Sequence, residues 1–174
     1  MKRICMFLIM VAMLAACGNN KNNTIAQLEQ QLINEDKTLN TDVATDLVAA
    51  YLDYANQNAD DEKTPDYLFK ALELAVNMHD ADKSFDILSR MENKYAQSEK
   101  TPTAIFMVAS LVCEDVLGDY GRAKGMYEKI ISDYPDNEWA STAEQAIINL
   151  GKTPEELIRE FEMMNADDAA EQPA

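Results

Sequence analysis

The chain is poor in the residues from which reactive sites are built. Its 174 residues hold one histidine, one tryptophan, five glycines, five prolines and three cysteines. His79 has no cysteine or carboxylate at ligand spacing, so neither a metal set nor a histidine-assisted nucleophile is expected around it. Five glycines are too few for phosphate-cradling loops, and no phosphate-loop or nucleophile-elbow pattern occurs. No catalytic residues, metal ligands or non-covalent cofactor are therefore expected, and the chain reads as something other than an enzyme. Positive charge is scarce as well: 15 Lys and Arg stand against 31 Asp and Glu, a formal charge of −16. Such a chain repels nucleic acid and offers anionic headgroups no basic patch. Asp60-Asp61 and Asp167-Asp168 lack the alternating oxygen ligands and glycine of a calcium loop, and read as solvated charge.

Only one apolar run is long. Lys2 and Arg3 precede Ile4 to Leu14, and small residues follow, the layout of a secretory signal peptide over residues 1–16. The run is shorter than the ~20 residues that a membrane-spanning helix requires. Its removal takes Lys2 and Arg3 but no acid, which moves the formal charge from −16 to −18. Leu14-Ala15-Ala16-Cys17 resembles the lipobox of bacterial lipoproteins, which implies that Cys17 is acylated and begins the mature chain. More than one acyl chain, at ~0.8 kcal/mol per buried methylene, anchors a protein stably. Gly18 stands where, in the Gram-negative pattern, an aspartate would favour inner-membrane retention. The resemblance therefore implies an outer-membrane lipoprotein facing the periplasm, with surface export left open. Cys5 leaves with the signal, so Cys113 has no internal disulfide partner and reads as a buried small hydrophobe beside Leu111, Val112 and Val116.

Beyond a polar tether over residues 17–23, the apolar residues recur at helical spacing. Ile25, Leu28, Leu32 and Ile33 predict a first amphipathic packing helix, with oligomerisation as the alternative. Val43, Leu47, Ala50, Tyr51 and Tyr54 predict a second, capped by Thr41 or Asp42. Glu62-Lys63-Thr64-Pro65 returns as Glu99-Lys100-Thr101-Pro102, and Thr153-Pro154-Glu155-Glu156 adds a capping-box glutamate. Threonine as cap and proline at the first helical position open a helix each time. Three helix pairs follow: Pro65 to Met78 with Asp82 to Ala96, Pro102 to Leu117 with Tyr120 to Tyr134, and Asp136 to Leu150 with Pro154 to Met164. No stretch alternates with period two, so strands are not expected. Residues 165–174 read as an acidic, disordered tail.

A helix pair recurring every 34 or so residues is the mark of a repeat protein. Ala123, Tyr127, Ile130 and Pro135 stand at the alanine, aromatic, small-apolar and proline positions of the tetratricopeptide repeat, and Gly118-Asp119-Tyr120 matches its mid-repeat turn. In the preceding pair, 39 residues earlier, Ser84, Leu88, Met91 and Tyr95 fall under Ala123, Tyr127, Ile130 and Tyr134, and Leu72 falls under Leu111. Ala96 occupies the proline position. The Glu-Lys-Thr-Pro copies are 37 apart, which predicts a first helix about two residues longer in the second pair. The third pair aligns 33 further on through Leu150-Gly151, its last helix after a one-residue shift that brings in Leu157, Phe161 and Met164, as in a divergent terminal cap.

The chain thus resembles bacterial outer-membrane lipoproteins with tetratricopeptide repeats, such as the lipoprotein of the β-barrel assembly machinery and cell-envelope coordinator proteins. The resemblance implies an all-α fold, a right-handed α-solenoid of about eight helices in a repeat domain over residues 24–164. It implies a protein-protein interaction scaffold in the cell envelope, with a protein or peptide partner. Two alternatives stand beside it: a subunit of an outer-membrane protein assembly machinery, and a periplasmic carrier holding a small ligand, glycan or peptidoglycan fragment. By resemblance the first helix of each repeat lines the concave face, which nominates Lys70, Glu73 and Asn77, then Val108, Val112 and Asp115, then Gln145 and Asn149. Val108 and Val112 either hold an amphipathic partner segment or pack under a neighbouring helix. The aromatics Tyr51, Tyr54, Phe69, Phe85, Phe106 and Tyr127 read as core rather than as a ligand-stacking face.

Overall fold

The computed structural model describes residues 24–170, with side chains as far as Met163, and forms a helix wherever apolar residues recur at three- and four-residue spacing. Cys17, the signal segment and the tether lie outside the described residues. Eight helices are found among the described residues. The first, α1, covers 24–31. The others are α2 (Thr41–Gln57), α3 (Thr64–Asn77), α4 (Ala81–Lys94), α5 (Lys100–Met107, continued by a π-helical stretch, Val108–Glu114), α6 (Tyr120–Asp133), α7 (Glu138–Asn149) and α8 (Pro154–Ala170). The all-α expectation holds: no strand forms among the described residues, and Ile33 and Leu39 make one isolated antiparallel bridge. Ile33 therefore leaves the stripe expected of α1 and is 56% exposed, because the helix stops two residues before it.

The chain divides into two compact units that meet between Ala104 and Ile105, inside α5. In the first unit α3 packs on α2 and on α4. In the second, α6 packs on the π-helical stretch and on α7. These contacts join helices that are neighbours in sequence.

The helix starts follow local chemistry. Asn40, rather than Thr41 or Asp42, caps α2 by accepting from the Val43 N–H at 3.3 Å, since an extended residue just before the helix aims its side chain at the orphan donors. Asp80 and Asp119 do the same for α4 and α6, accepting from the N–H groups of Lys83 and Arg122 at 3.0 Å. Thr153 and Glu156 form the expected capping box before α8, each side chain taking the other's N–H.

The two Thr-Pro sites work differently from the caps expected of them. Thr64 lies inside α3, and the residue before it, Lys63, carries no side-chain cap bond. The Thr64 hydroxyl donates backwards to the Asn58 carbonyl, and Thr101 likewise to Tyr95 at 2.6 Å, both six residues back. Asn58 and Tyr95 end α2 and α4, where last-turn carbonyls lack intrahelical partners. Each buried threonine thus ties its own helix to the end of the previous one. The cap acceptors are Asp61 and Ser98, three residues earlier, which take the N–H groups of Lys63 and Lys100. A third linker repeats this turn without the Thr-Pro words. Asn137 accepts from Trp139 N–H at 3.0 Å, its own N–H reaches Tyr134 O, and Ala140 stands in the threonine's place.

Three residues in the left-handed region close the first helix of each pair: His79 (φ 57°), Gly118 (φ 62°) and Gly151 (φ 75°). From Thr64 to His79 and from Thr101 to Gly118 the separation differs by the two residues that the sequence predicted. The surplus sits at the end of the helix, absorbed by widened turns. Leu117 N–H reaches Val112 O at 3.0 Å and Asp119 N–H reaches Cys113 O at 2.7 Å, in place of the four-residue step of an α-helix. Upstream of it the 37-residue register rules: Leu68, Ala71, Leu72, Ala75 and Val76 are buried, as are Ile105, Val108, Ala109, Val112 and Cys113. The counterpart of Leu72 is thus Ala109. Leu111, expected there, is 44% exposed.

In the second helices the 39-residue register holds. Ser84, Leu88 and Met91 are buried at 0%, 3% and 0% exposure, and Ala123, Tyr127 and Ile130 at 0%, 1% and 0%. The last helix runs to Ala170, past the Met164 expected, through a segment with neither glycine nor proline.

A charged groove as candidate functional site

Lys63, the neighbours Asp66 and Tyr67, Lys70 and Glu73 follow one another at three- and four-residue spacing and so form one stripe from the residue before α3 along that helix. Together with Phe69 and with Lys100 from the start of α5 they line a cavity of about 600 Å³. That volume lies within the range of ligand and peptide-side-chain sites. Charge alternates along the stripe, and three of the chain's 15 cations converge on it, although the formal charge of the whole chain is −16.

Tyr67 and Phe69 supply the aromatic lining of the cavity, and buried rings back Tyr67. The Tyr67 ring lies 4.4 Å from that of Tyr54 and 5.5 Å from that of Tyr51. The Lys70 ammonium stands 5.8 Å from the ring centroids of both Tyr51 and Tyr67, and that of Lys100 stands 5.5 Å from Phe69. A cation over a ring face is held by the quadrupole of the ring, which fixes flexible lysines in place.

Glu29 of α1 reaches the same place. Its Oε1 accepts from the Tyr51 hydroxyl and from Lys70 Nζ, each at 2.7 Å. Partial burial works against its ionisation, but the hydrogen bonds from Lys70 and Tyr51 outweigh it and hold the carboxyl below its ordinary value. Burial and then the Glu29 bond raise the Tyr51 phenol. Nearby, burial and then Asp61, whose carboxylate accepts from the Tyr54 hydroxyl at 3.0 Å, push Tyr54 up to about 12.

The structure distributes the eight nominated residues over several environments. Lys70 and Glu73 share the α3 groove, and Asn77 is exposed at the end of the same helix, its amide bonded to Glu73 O at 2.7 Å. Val108 and Val112 are 0% and 2% exposed, so they are core and present no surface to a partner. Asp115 and Asn149 meet in a second cavity of about 290 Å³, with Glu114, Tyr120 and Lys152 on its walls. Gln145 is exposed on α7. Lys63, Asp66, Tyr67, Phe69 and Lys100 were not among the residues nominated. The alternating charge at helical spacing along α3 was a usable signal for Lys63. Glu29 left no local signal, because it lies 41 residues from Lys70.

The residues with reactive chemistry lie outside this groove. His79 is exposed in the turn after α3. Cys113 is buried beside Met126, its Sγ 3.7 Å from the thioether sulfur, and burial raises its thiol, which keeps it protonated. The Tyr127 hydroxyl donates to the Glu114 carboxylate inside the second unit. Among the described residues no three His, Cys, Asp or Glu side chains converge as a metal site would need, and no helix is long and apolar enough to cross a membrane. Comparison of the chain with protein-family models, curated proteins and solved structures gave no match.

Proposed function

We propose that this chain is a membrane-anchored bacterial lipoprotein, attached through lipid on Cys17, probing the cell envelope with tetratricopeptide-like helix pairs that form a right-handed solenoid. In this reading it is an interaction scaffold without covalent chemistry, at the outer membrane and facing the periplasm. The observation that carries the repeat reading is the linker turn built three times, at Asn58 to Thr64, Tyr95 to Thr101 and Tyr134 to Ala140, with the same backbone hydrogen bonds in each. Sequential packing of helix neighbours and the matched burial of Ser84, Leu88 and Met91 with Ala123, Tyr127 and Ile130 support it further.

The α3 groove supports a protein partner. Five charged side chains, Lys63, Asp66, Lys70, Glu73 and Lys100, line it beside Tyr67 and Phe69. Alternating charges around an aromatic lining suit a peptide or helix with its own mixed charges, whereas carriers of small ligands are lined mainly by apolar groups. Six residues separate Cys17 from Thr24, seven steps with a reach of at most ~25 Å, so the groove would work close to the membrane surface.

Two experiments test this reading. Cys17→Ala should abolish acylation and release the protein from membranes; lipid labelling that persists in the variant rejects the anchor. A photo-crosslinking residue at Glu73 should capture an envelope protein in intact cells, while one at Lys124 on α6 should not. Absence of capture at Glu73 rejects the scaffold, and the identity of a captured protein separates outer-membrane assembly from scaffolding elsewhere.

A further inference from the structure

The contact between Glu29 and the α2–α3 pair shows a carboxylate already bound. Its Oε1 receives a phenol O–H and an ammonium N–H at 2.7 Å each, and a cation stands over two rings at the same point. Such charge-assisted pairs are the stronger hydrogen bonds of a protein surface. Yet within α1 Ile25, one turn before Glu29 on the same face, is the one fully buried side chain at 4% exposure; Leu28 is half-buried, and Ala26, Gln27, Gln30 and Gln31 face solvent. The Lys70 and Glu29 side chains are 47% and 37% exposed, so the pair lies at an open edge that a competitor can reach.

We infer that Tyr51 and Lys70 form a carboxylate subsite for an incoming partner helix, and that α1 is its resident occupant in the free chain. The partner is an amphipathic helix carrying an apolar residue one turn before a glutamate, as Ile25 precedes Glu29. Charge complementarity sets its remaining chemistry. Lys63 and Lys100 continue the groove beyond Lys70 and call for further carboxylates, while Asp66 and Glu73 call for interspersed cations. Those two acids, on a chain of formal charge −16, disfavour a polyphosphate or an anionic membrane. Within residues 24–34 of α1 and its extension Glu29 is the sole charge, so a helix richer in charge outcompetes it.

The inference rests on the scaffold reading, and its test separates the two. A fluorescein-labelled synthetic peptide of residues 24–35 serves as the probe, titrated against the lipid-free chain. Glu29→Lys places a cation against Lys70 and should free α1, tightening peptide binding at least tenfold over wild type. Adding Lys70→Glu should re-close α1 through the swapped pair and remove that binding, and Tyr51→Phe in the Glu29→Lys background should weaken it several-fold. Amide exchange should quicken in α1 of Glu29→Lys while α2 to α4 stay protected, which shows that the variant is folded. Equal binding by wild type and Glu29→Lys, binding that survives Lys70→Glu, or preference of Glu29→Lys for phosphatidylglycerol vesicles over the peptide would overturn the inference. Capture at Glu73 alongside any of these keeps the scaffold and rejects only the subsite.

Discussion

The hydroxyl of Thr101 donates to the main-chain carbonyl of Tyr95 at 2.6 Å, across the turn that joins α4 to α5. Thr64 does the same for Asn58. Both threonines are 0% exposed, and each carbonyl also accepts a backbone N–H, from Ser98 at 2.9 Å and from Asp61 at 3.0 Å, so the hydroxyl is its second donor. Thr101→Val keeps the shape and removes the donor. It should lower stability by about 0.5–1.5 kcal/mol, read from the urea midpoint at unchanged slope. A variant as stable as wild type would show that the turn holds without the hydroxyl.

His79 sits at φ 57°, where Gly118 and Gly151 occupy the equivalent turns. A Cβ in that region costs about 1–2 kcal/mol, offset in part by the greater chain entropy of glycine when unfolded. His79→Gly should therefore raise stability by about 0.5–1 kcal/mol, seen as a higher melting temperature. A fall would mean that the exposed imidazole contributes more than its backbone strain removes.

Ala123 is 0% exposed in α6, which packs on the π-helical stretch and on α7. Ala123→Leu adds three carbons where neighbouring helices meet and should cost about 1–3 kcal/mol. Ser84→Ala at the matching place in α4 removes only a hydroxyl bonded to Asp80 O within its own helix, and should cost less. Thermal denaturation of the two variants gives the order directly.

The alkaline limit of stability should report on the buried phenols. Burial, and then Asp61, push Tyr54 up to about 12, and Tyr51 and Tyr127 are raised in the same direction by burial and by Glu29 and Glu114. A folded-state value above the unfolded one of ~10 stabilises the protein below pH ~10, and the benefit is lost as pH rises towards the folded value. Tyrosinate absorbance should lag behind that of the urea-unfolded chain above pH ~10 and then climb together with loss of helical circular dichroism. Coincident titration of folded and unfolded chains would place these phenols in water.

Much of the fold was legible because it is local. The three- and four-residue recurrence of apolar side chains marked every helix, and the turn from Leu117 to Asp119 with Ala123, Tyr127 and Ile130 fixed the register of α4 and α6. What failed were choices among near neighbours. Asn40 won the cap of α2 over Thr41 and Asp42, and Thr64 and Thr101 turned their hydroxyls backwards to carbonyls rather than forwards to N–H groups. Such choices depend on which orphan group lies within reach once the preceding helix has ended. The exposed position of Leu111 had the same root, since a two-residue surplus leaves the register open until the widened turns show where it is absorbed.

The sequence by itself determined the helices, the packing of α3 on α4 and of the α5 extension on α6, and the acidity of the chain, because periodicity, turn residues and charge are properties of neighbours along the chain. The packing expected of Leu157 and Phe161 on α8 is not met, since they are 36% and 62% exposed. Tertiary structure alone decided that Val108 and Val112 are core, that Lys63, Lys70 and Lys100 share one groove, and that Glu29 docks onto Tyr51 and Lys70. Those relations join residues tens of positions apart, and only the packing of one helix on another brings them within bonding distance.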